Sequence, residues 1–310
     1  MFTLHGYSSK LLVLLGLCLF IGTVFSMLAI FTVPLFFPVE NATEVLSNID
    51  DPANLPALKF LQFFNALGIF VLPALAFALF FTAKPMQVLK LHKASKISLY
   101  ALAILLFVVA MPLLNWVVEW NSQIHLPDVF SGIENWMRAS EDRAMEMTKA
   151  LLQMDNVSQL VVNIFLIAVL PAVGEELLFR GLVQRIFSAW TKNHHVGIWI
   201  AAILFSALHF QFFGFFPRML LGALFGYMFY YSGSLWIPIF AHFLNNATAL
   251  IISYFYGFNT MESEVEKLGA TKDTMLLLIP SFLLFVAVFY FFSKKAKEEN
   301  PSLEKHCEDF

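Results

Sequence analysis

Runs of about twenty apolar residues recur along this chain, and that recurrence limits its fold more than any other feature. A run of that length crosses the hydrocarbon core of a bilayer as a helix, the form that satisfies its own backbone hydrogen bonds. Eight such spans are expected, at about residues 11–37, 57–82, 97–119, 157–179, 196–212, 216–232, 235–256 and 274–292. Their length and continuity specify helices rather than barrel strands. Composition agrees: of 310 residues, 59% are hydrophobic and 13% charged, against about 45–50% and about 25% in soluble domains. The expected fold is all-α, a polytopic transmembrane helix bundle. A net charge of −3 offers no basic surface, so no nucleic-acid partner is expected.

Charges in the connections orient the bundle. The 83–96 loop carries Lys84, Lys90, Lys93 and Lys96 without an acid. Lys10, the 180–195 connection and the Lys294, Lys295, Lys297 group fall on the same side if the spans alternate. Acidic loops 38–56 and 257–273 fall opposite, with the mixed segment 120–155. Basic loops stay in the cytoplasm, which places both termini there. The first apolar run is far longer than a signal-peptide core and reads as a membrane helix, not a cleaved leader. Residues 133–153 mix apolar and charged side chains in a helix-compatible way, as an interfacial helix does. The tail from 293 to 310 is polar and is expected to be disordered. Cys18 and Cys307 form no disulfide framework, and Cys307–Phe310 lacks the aliphatic middle of a prenylation box.

Ionisable residues inside the apolar runs fall between Glu175 and His242, whereas spans one, two, three and eight hold none in their interiors. A charge near the bilayer centre costs about 2.5–3.5 kcal/mol on insertion scales, so such residues face a protein interior or a wet cavity and mark function. Three regions result. Residues 1–155 are N-terminal transmembrane helices with the extramembrane segment, 156–256 form the polar core, and 257–310 hold the last span and tail.

Within the core, Glu176 and Arg180 are four residues apart on one helix face and can pair. Glu175 lies about 100° away and is less easily neutralised. One reading gives both carboxylates to Arg180 as a buried ion-pair network. The other leaves Glu175 free to act on water, as a desolvated general base does. Phe205 and His209 share a face at i, i+4 spacing, and so do His242 and Asn246. The bland alternatives are an interface histidine and an interhelical hydrogen bond worth about 1 kcal/mol. Gly222 and Gly226 have the small-xxx-small spacing of close helix packing. His5, His92, His125, His194, His195 and His306 read as solvated surface. Counting about 1.5 Å per residue from the cytoplasmic ends sets His242 roughly 10 Å deep and His209 nearer 20 Å. Convergence is expected in the cytoplasmic half.

The ordered trio Glu175-Glu176-x-x-x-Arg180, Phe205-x-x-x-His209 and His242-x-x-x-Asn246 resembles the CAAX protease and bacteriocin-processing family of intramembrane endopeptidases, which includes the type II CAAX prenyl endopeptidases. The resemblance covers roughly residues 155–255. It implies peptide-bond hydrolysis in the membrane, with Glu175 and His209 holding and deprotonating water and Glu175 as general base. His242 and Asn246 would donate to the oxyanion, and Glu176, Arg180 and Phe205 would support them. No serine or cysteine nearby offers a better nucleophile. No cofactor is asserted. Glu plus two His is also a zinc ligand set, so a divalent metal such as zinc, if used, would sit on Glu175, His209 and His242. The implied partners are the lipid bilayer and a peptide or protein substrate, in the plasma membrane of the cell. A non-catalytic peptide-binding relative and a proton-coupled transporter stay open as alternatives.

Overall fold

The computed structural model describes residues 6–49, 51–81, 84–258 and 267–300, and among them there is no strand. In chain order, α1 is Tyr7–Phe36, α2 Pro52–Phe81, α3 Ile97–Ser122, α4 Ser131–Leu151, α5 Val157–Thr191, α6 His194–Ala207, α7 Phe215–Ser232, α8 Trp236–Tyr256 and α9 Met275–Glu299. Among the described residues six of these (α1, α2, α3, α5, α8 and α9) are long and apolar enough to cross a membrane. The eight expected spans therefore resolve into six candidate spans and a shorter pair, α6 with 14 residues and α7 with 18.

Lipid accounts for the outer surface. On α1, Leu12, Phe20, Phe31 and Leu35 are each at least 68% exposed, which is intolerable in water as a continuous stripe but costs nothing in hydrocarbon. This is an integral membrane protein. Helix α4 covers most of the helix-compatible stretch expected at 133–153: Glu134, Arg138 and Glu141 are hydrogen bonded, while Ile133 and Trp136 stay exposed.

Three boundaries depart from expectation. Helix α6 ends at Ala207 rather than near 212, because the chain turns through Phe210 in the left-handed region (φ 53°). Helix α9 runs on to Glu299, so residues 293–299 are helical, not disordered; a polar segment continuing a packed apolar helix needs no new nucleus. His5, His306, Cys307 and the rest of the expected tail beyond residue 300 lie outside the described residues. Helix α5 is 35 residues long, about 50 Å at the usual rise, and runs well past the expected stop at 179.

That length is not a uniform α-helix. Residues Ile164–Val169 and Phe179–Val183 wind as π-helix, and the α-helical stretch Leu170–Leu178 between them carries both glutamates. Single π turns interrupt helices frequently at functional sites. Helix α2 has its own π stretch, Leu67–Val71, and it meets α5 at Gly174. A Cβ on Gly174 would stand 2.9 Å from Phe70 Cβ and from Val71 Cγ2. Only glycine allows this approach.

Helices α5, α6, α7 and α8 enclose the polar centre. Two successive turns of α5 reach the backbone of α7: Arg180 Nη2 donates to Gly222 O at 2.8 Å, and Gln184 Nε2 donates to Gly226 O at 3.1 Å. The two glycines thus serve more than packing. Their missing side chains open the carbonyls to donors from α5, and a Cβ on Gly222 would lie 3.3 Å from Arg180 Nη2.

Candidate active site

Glu176 sits at the base of the site and is fully buried, as is Arg180. Arg180 Nη1 donates to Glu176 Oε1 at 2.7 Å, the i, i+4 pairing expected on one helix face. The guanidinium also lies over the rings of Phe205 (4.8 Å) and Phe225 (5.6 Å). Two buried charges are tolerated in an apolar core only when paired and further hydrogen bonded, and Gly222 O supplies the extra acceptor.

The same Glu176 oxygen takes a second partner. His242 Nδ1, from the second turn of α8, lies 2.9 Å from Glu176 Oε1. A carboxylate already held by arginine is an acceptor, so Nδ1 carries the proton there. That fixes Nε2 outward, 3.8 Å from Glu175 Oε2. Phe225 stacks on the imidazole (5.3 Å between centroids, 22° between planes), and Phe205 meets it edge-on at 6.0 Å. The ring is clamped.

Glu175, one residue along, has no such fixture. It is 9% exposed, and its contact with His242, at 3.8 Å, is beyond a hydrogen bond. Two adjacent identical side chains therefore differ sharply: one is locked by an arginine and a histidine, the other is buried but available.

Asn246 lies one turn below His242 on α8. Its Nδ2 donates to Ile167 O in the π stretch of α5 at 3.3 Å, and its Oδ1 accepts from Asn245 Nδ2 at 3.1 Å. The second hydrogen on Nδ2 has no partner among the described residues. His209 differs from expectation because α6 has already ended. It stands in the turn beyond the helix, and its side chain folds back so that Nδ1 lies 2.7 Å from Phe205 O. Its ring meets Phe205 at 5.0 Å, but no hydrogen bond or ion pair joins His209 to Glu175 among the described residues. Phe205 is thus the wall shared by His209, His242 and Arg180. Ser206, the nearest hydroxyl, is engaged by Phe215 O at 2.7 Å.

The proposed zinc donors do not gather. Among the described residues no group of three or more His, Cys, Asp or Glu side chains is arranged to hold a metal ion, and Glu175, His209 and His242 are no exception.

Sequence reasoning missed several participants. Phe225 clamps His242, but an aromatic in an apolar helix carries no signal of its own. Arg218, in the first turn of α7, is close enough to Glu175 and His209 to interact with their charges. Its position at the edge of an apolar run reads as snorkelling. Asn121 and Glu141 hold the turn that follows His209: Asn121 Nδ2 donates to Phe212 O, Phe216 N to Asn121 Oδ1, and Phe213 N to Glu141 Oε2. Among the histidines expected to be solvated, His195 Nδ1 lies 2.9 Å from Tyr227 Oη and His194 stacks on Tyr230 at 4.0 Å. His125 lies 2.9 Å from Glu134.

Residues 157–248 match the family model for type II CAAX prenyl endopeptidase Rce1-like proteins, over the same stretch that carries the three sequence motifs. The match falls on α5 to α8 and contains every site residue named above except Asn121 and Glu141. Among curated proteins, the "Uncharacterized protein YpbD" of Bacillus subtilis (strain 168) is 34% identical over 89 residues, which is 27% of this chain and 42% of that relative. The chain thus spans less than half the length of the relative it matches. No solved structure matches.

Proposed function

We propose that this protein is an intramembrane endopeptidase that hydrolyses a peptide bond of a membrane-associated peptide or protein in the cell membrane, with both termini cytoplasmic. One observation carries the reading: Glu175 is buried and unlocked, while its neighbour Glu176 is consumed in fixing the histidine that faces it. A purely structural network would hold both carboxylates by hydrogen bonds, and among the described residues none holds Glu175.

In this reading Glu175 accepts a proton from a water molecule, and the water oxygen attacks the scissile carbonyl carbon. His209 lies across the Phe205 wall with its Nε2 unpartnered among the described residues, and it holds that water or the substrate. The tetrahedral oxyanion is met by the free N–H of Asn246 and by Nε2–H of His242, which donates from both nitrogens when protonated. Collapse breaks the C–N bond, and the proton taken by Glu175 passes to the departing amine. Arg180 and Glu176 touch no reacting atom; they set the His242 ring. Prenylated C-terminal peptides and bacteriocin or pheromone precursors are chemically suitable substrates.

The test is incubation of the purified protein and its Glu175→Gln variant with a library of membrane peptides, products read by mass spectrometry. New termini with wild type and none with the variant are expected. Silence from wild type would favour a peptide-binding role for the same cluster.

A further inference from the structure

Arg218 is a cation that the proposed chemistry leaves unused. It is half-buried on the first turn of α7, and its guanidinium lies against Gly214, where a Cβ would be 3.0 Å from Nη2. Its hydrogen bonds go to neutral acceptors of one residue: Nη2 to Gln211 Oε1 at 2.7 Å and Nη1 to Gln211 O at 3.5 Å. Glu141 on α4 and Glu175 on α5 are both within electrostatic range, yet among the described residues neither forms an ion pair with it. Of its five N–H donors, two are used among the described residues.

Position makes this more than a surface arginine. Arg218, Gly222 and Phe225 follow one another at i, i+4 and i+7 on a single face of α7. Gly222 carries the Arg180 bond and Phe225 stacks on His242, so Arg218 overlooks the site from about one turn, or roughly 6 Å, further along. A guanidinium present only to balance Glu175 would close onto it. Instead its two bonds go to Gln211, while Glu175 and His209 both feel its charge.

We propose that Arg218 is a specificity-determining residue that binds a carboxylate of the peptide substrate, placing the scissile bond over Glu175. This rests on the endopeptidase reading above and names its substrate class: peptides bearing a carboxylate a few residues from the cut, as a free C-terminus or an acidic side chain. Arginine suits this because its planar donors match a carboxylate two at a time. The Gln211 bonds fix the fork before substrate arrives, and the apolar surroundings discriminate against an uncharged analogue, which would leave donors unsatisfied.

The test uses the full chain in lipid nanodiscs and two pairs of fluorescein-labelled apolar peptides. The first pair differs in a free C-terminal carboxylate against a carboxamide. The second is amidated and differs in Asp against Asn near that end. Wild type is expected to bind one carboxylate member on the order of 10- to 100-fold tighter than its neutral partner, and the pair that shows it identifies the source of the charge. In Arg218→Gln the ratio falls to about one, and in Arg218→Lys, which keeps a charge but loses the fork, it is intermediate. Equal binding of both members of both pairs by wild type, no binding of any peptide, or a ratio that survives Arg218→Gln would overturn the assignment. Cleavage is measured in the same samples. Discrimination without cleavage supports Arg218 and counts against hydrolysis, whereas cleavage without discrimination does the reverse.

Discussion

Changing Glu175 and Glu176 separately to glutamine is the same chemical edit at neighbouring positions, and the structure assigns it opposite consequences. In Glu176→Gln the carboxylate that accepts from Arg180 at 2.7 Å and from His242 at 2.9 Å becomes neutral. Arg180 is 1% exposed, so its buried charge loses the carboxylate it is bonded to. Breaking one side of such a pair costs about 3–5 kcal/mol. Among the described residues Glu175 has no hydrogen bond to lose, its ion-pair contact with His242 being 3.8 Å away. Its replacement by an isosteric amide should leave stability within about 1 kcal/mol of wild type. Chemical unfolding of the purified variants in mixed micelles measures both. Equal losses, or a larger loss in Glu175→Gln, would refute the division of labour between the two glutamates.

Asn246→Ala removes an oxyanion donor and should lower turnover on the order of 10²–10³-fold, with about 1 kcal/mol of stability lost with the bond to Ile167; steady-state rates and unfolding separate the two. Gly174→Ala forces a Cβ to within 2.9 Å of Phe70 and Val71 and should destabilise by about 1–3 kcal/mol through overpacking, read as a lower unfolding midpoint. Away from the six candidate spans, the Glu134 carboxyl is held down to about 2 by the Leu126 N–H, Arg138 and His125. A depressed carboxyl stabilises above its ordinary value of 4.5 and loses that contribution as pH falls toward 2. Hydrogen exchange across α4 should therefore rise through that window in wild type, and Glu134→Gln should abolish the dependence.

The membrane class, the α-helices and the clustering of polar residues were legible in the sequence because each follows from length, apolarity and residue type. So was the Glu176–Arg180 pair, which local spacing alone dictates. What escaped depends on contacts between helices. The spacing Phe205-x-x-x-His209 assumes a helix that ends at Ala207, and the left-handed Phe210 that ends it has no sequence signature comparable to glycine. The π turns either side of Leu170–Leu178 rephase α5 without any cue in composition. That Glu176 would bind His242 as well as Arg180 required α8 to be docked. Gly222 and Gly226 gave a packing signal, but their use as carbonyl acceptors is a property of the neighbouring helix.

The central claim is that Glu175 supplies the proton chemistry, while Glu176 holds its partner in place. It is tested most directly by the turnover of one cleaved peptide by wild type and Glu175→Gln, both confirmed as folded. Loss of a general base should cost about 10²–10⁴-fold with the unfolding midpoint unchanged. Turnover within tenfold of wild type would contradict it.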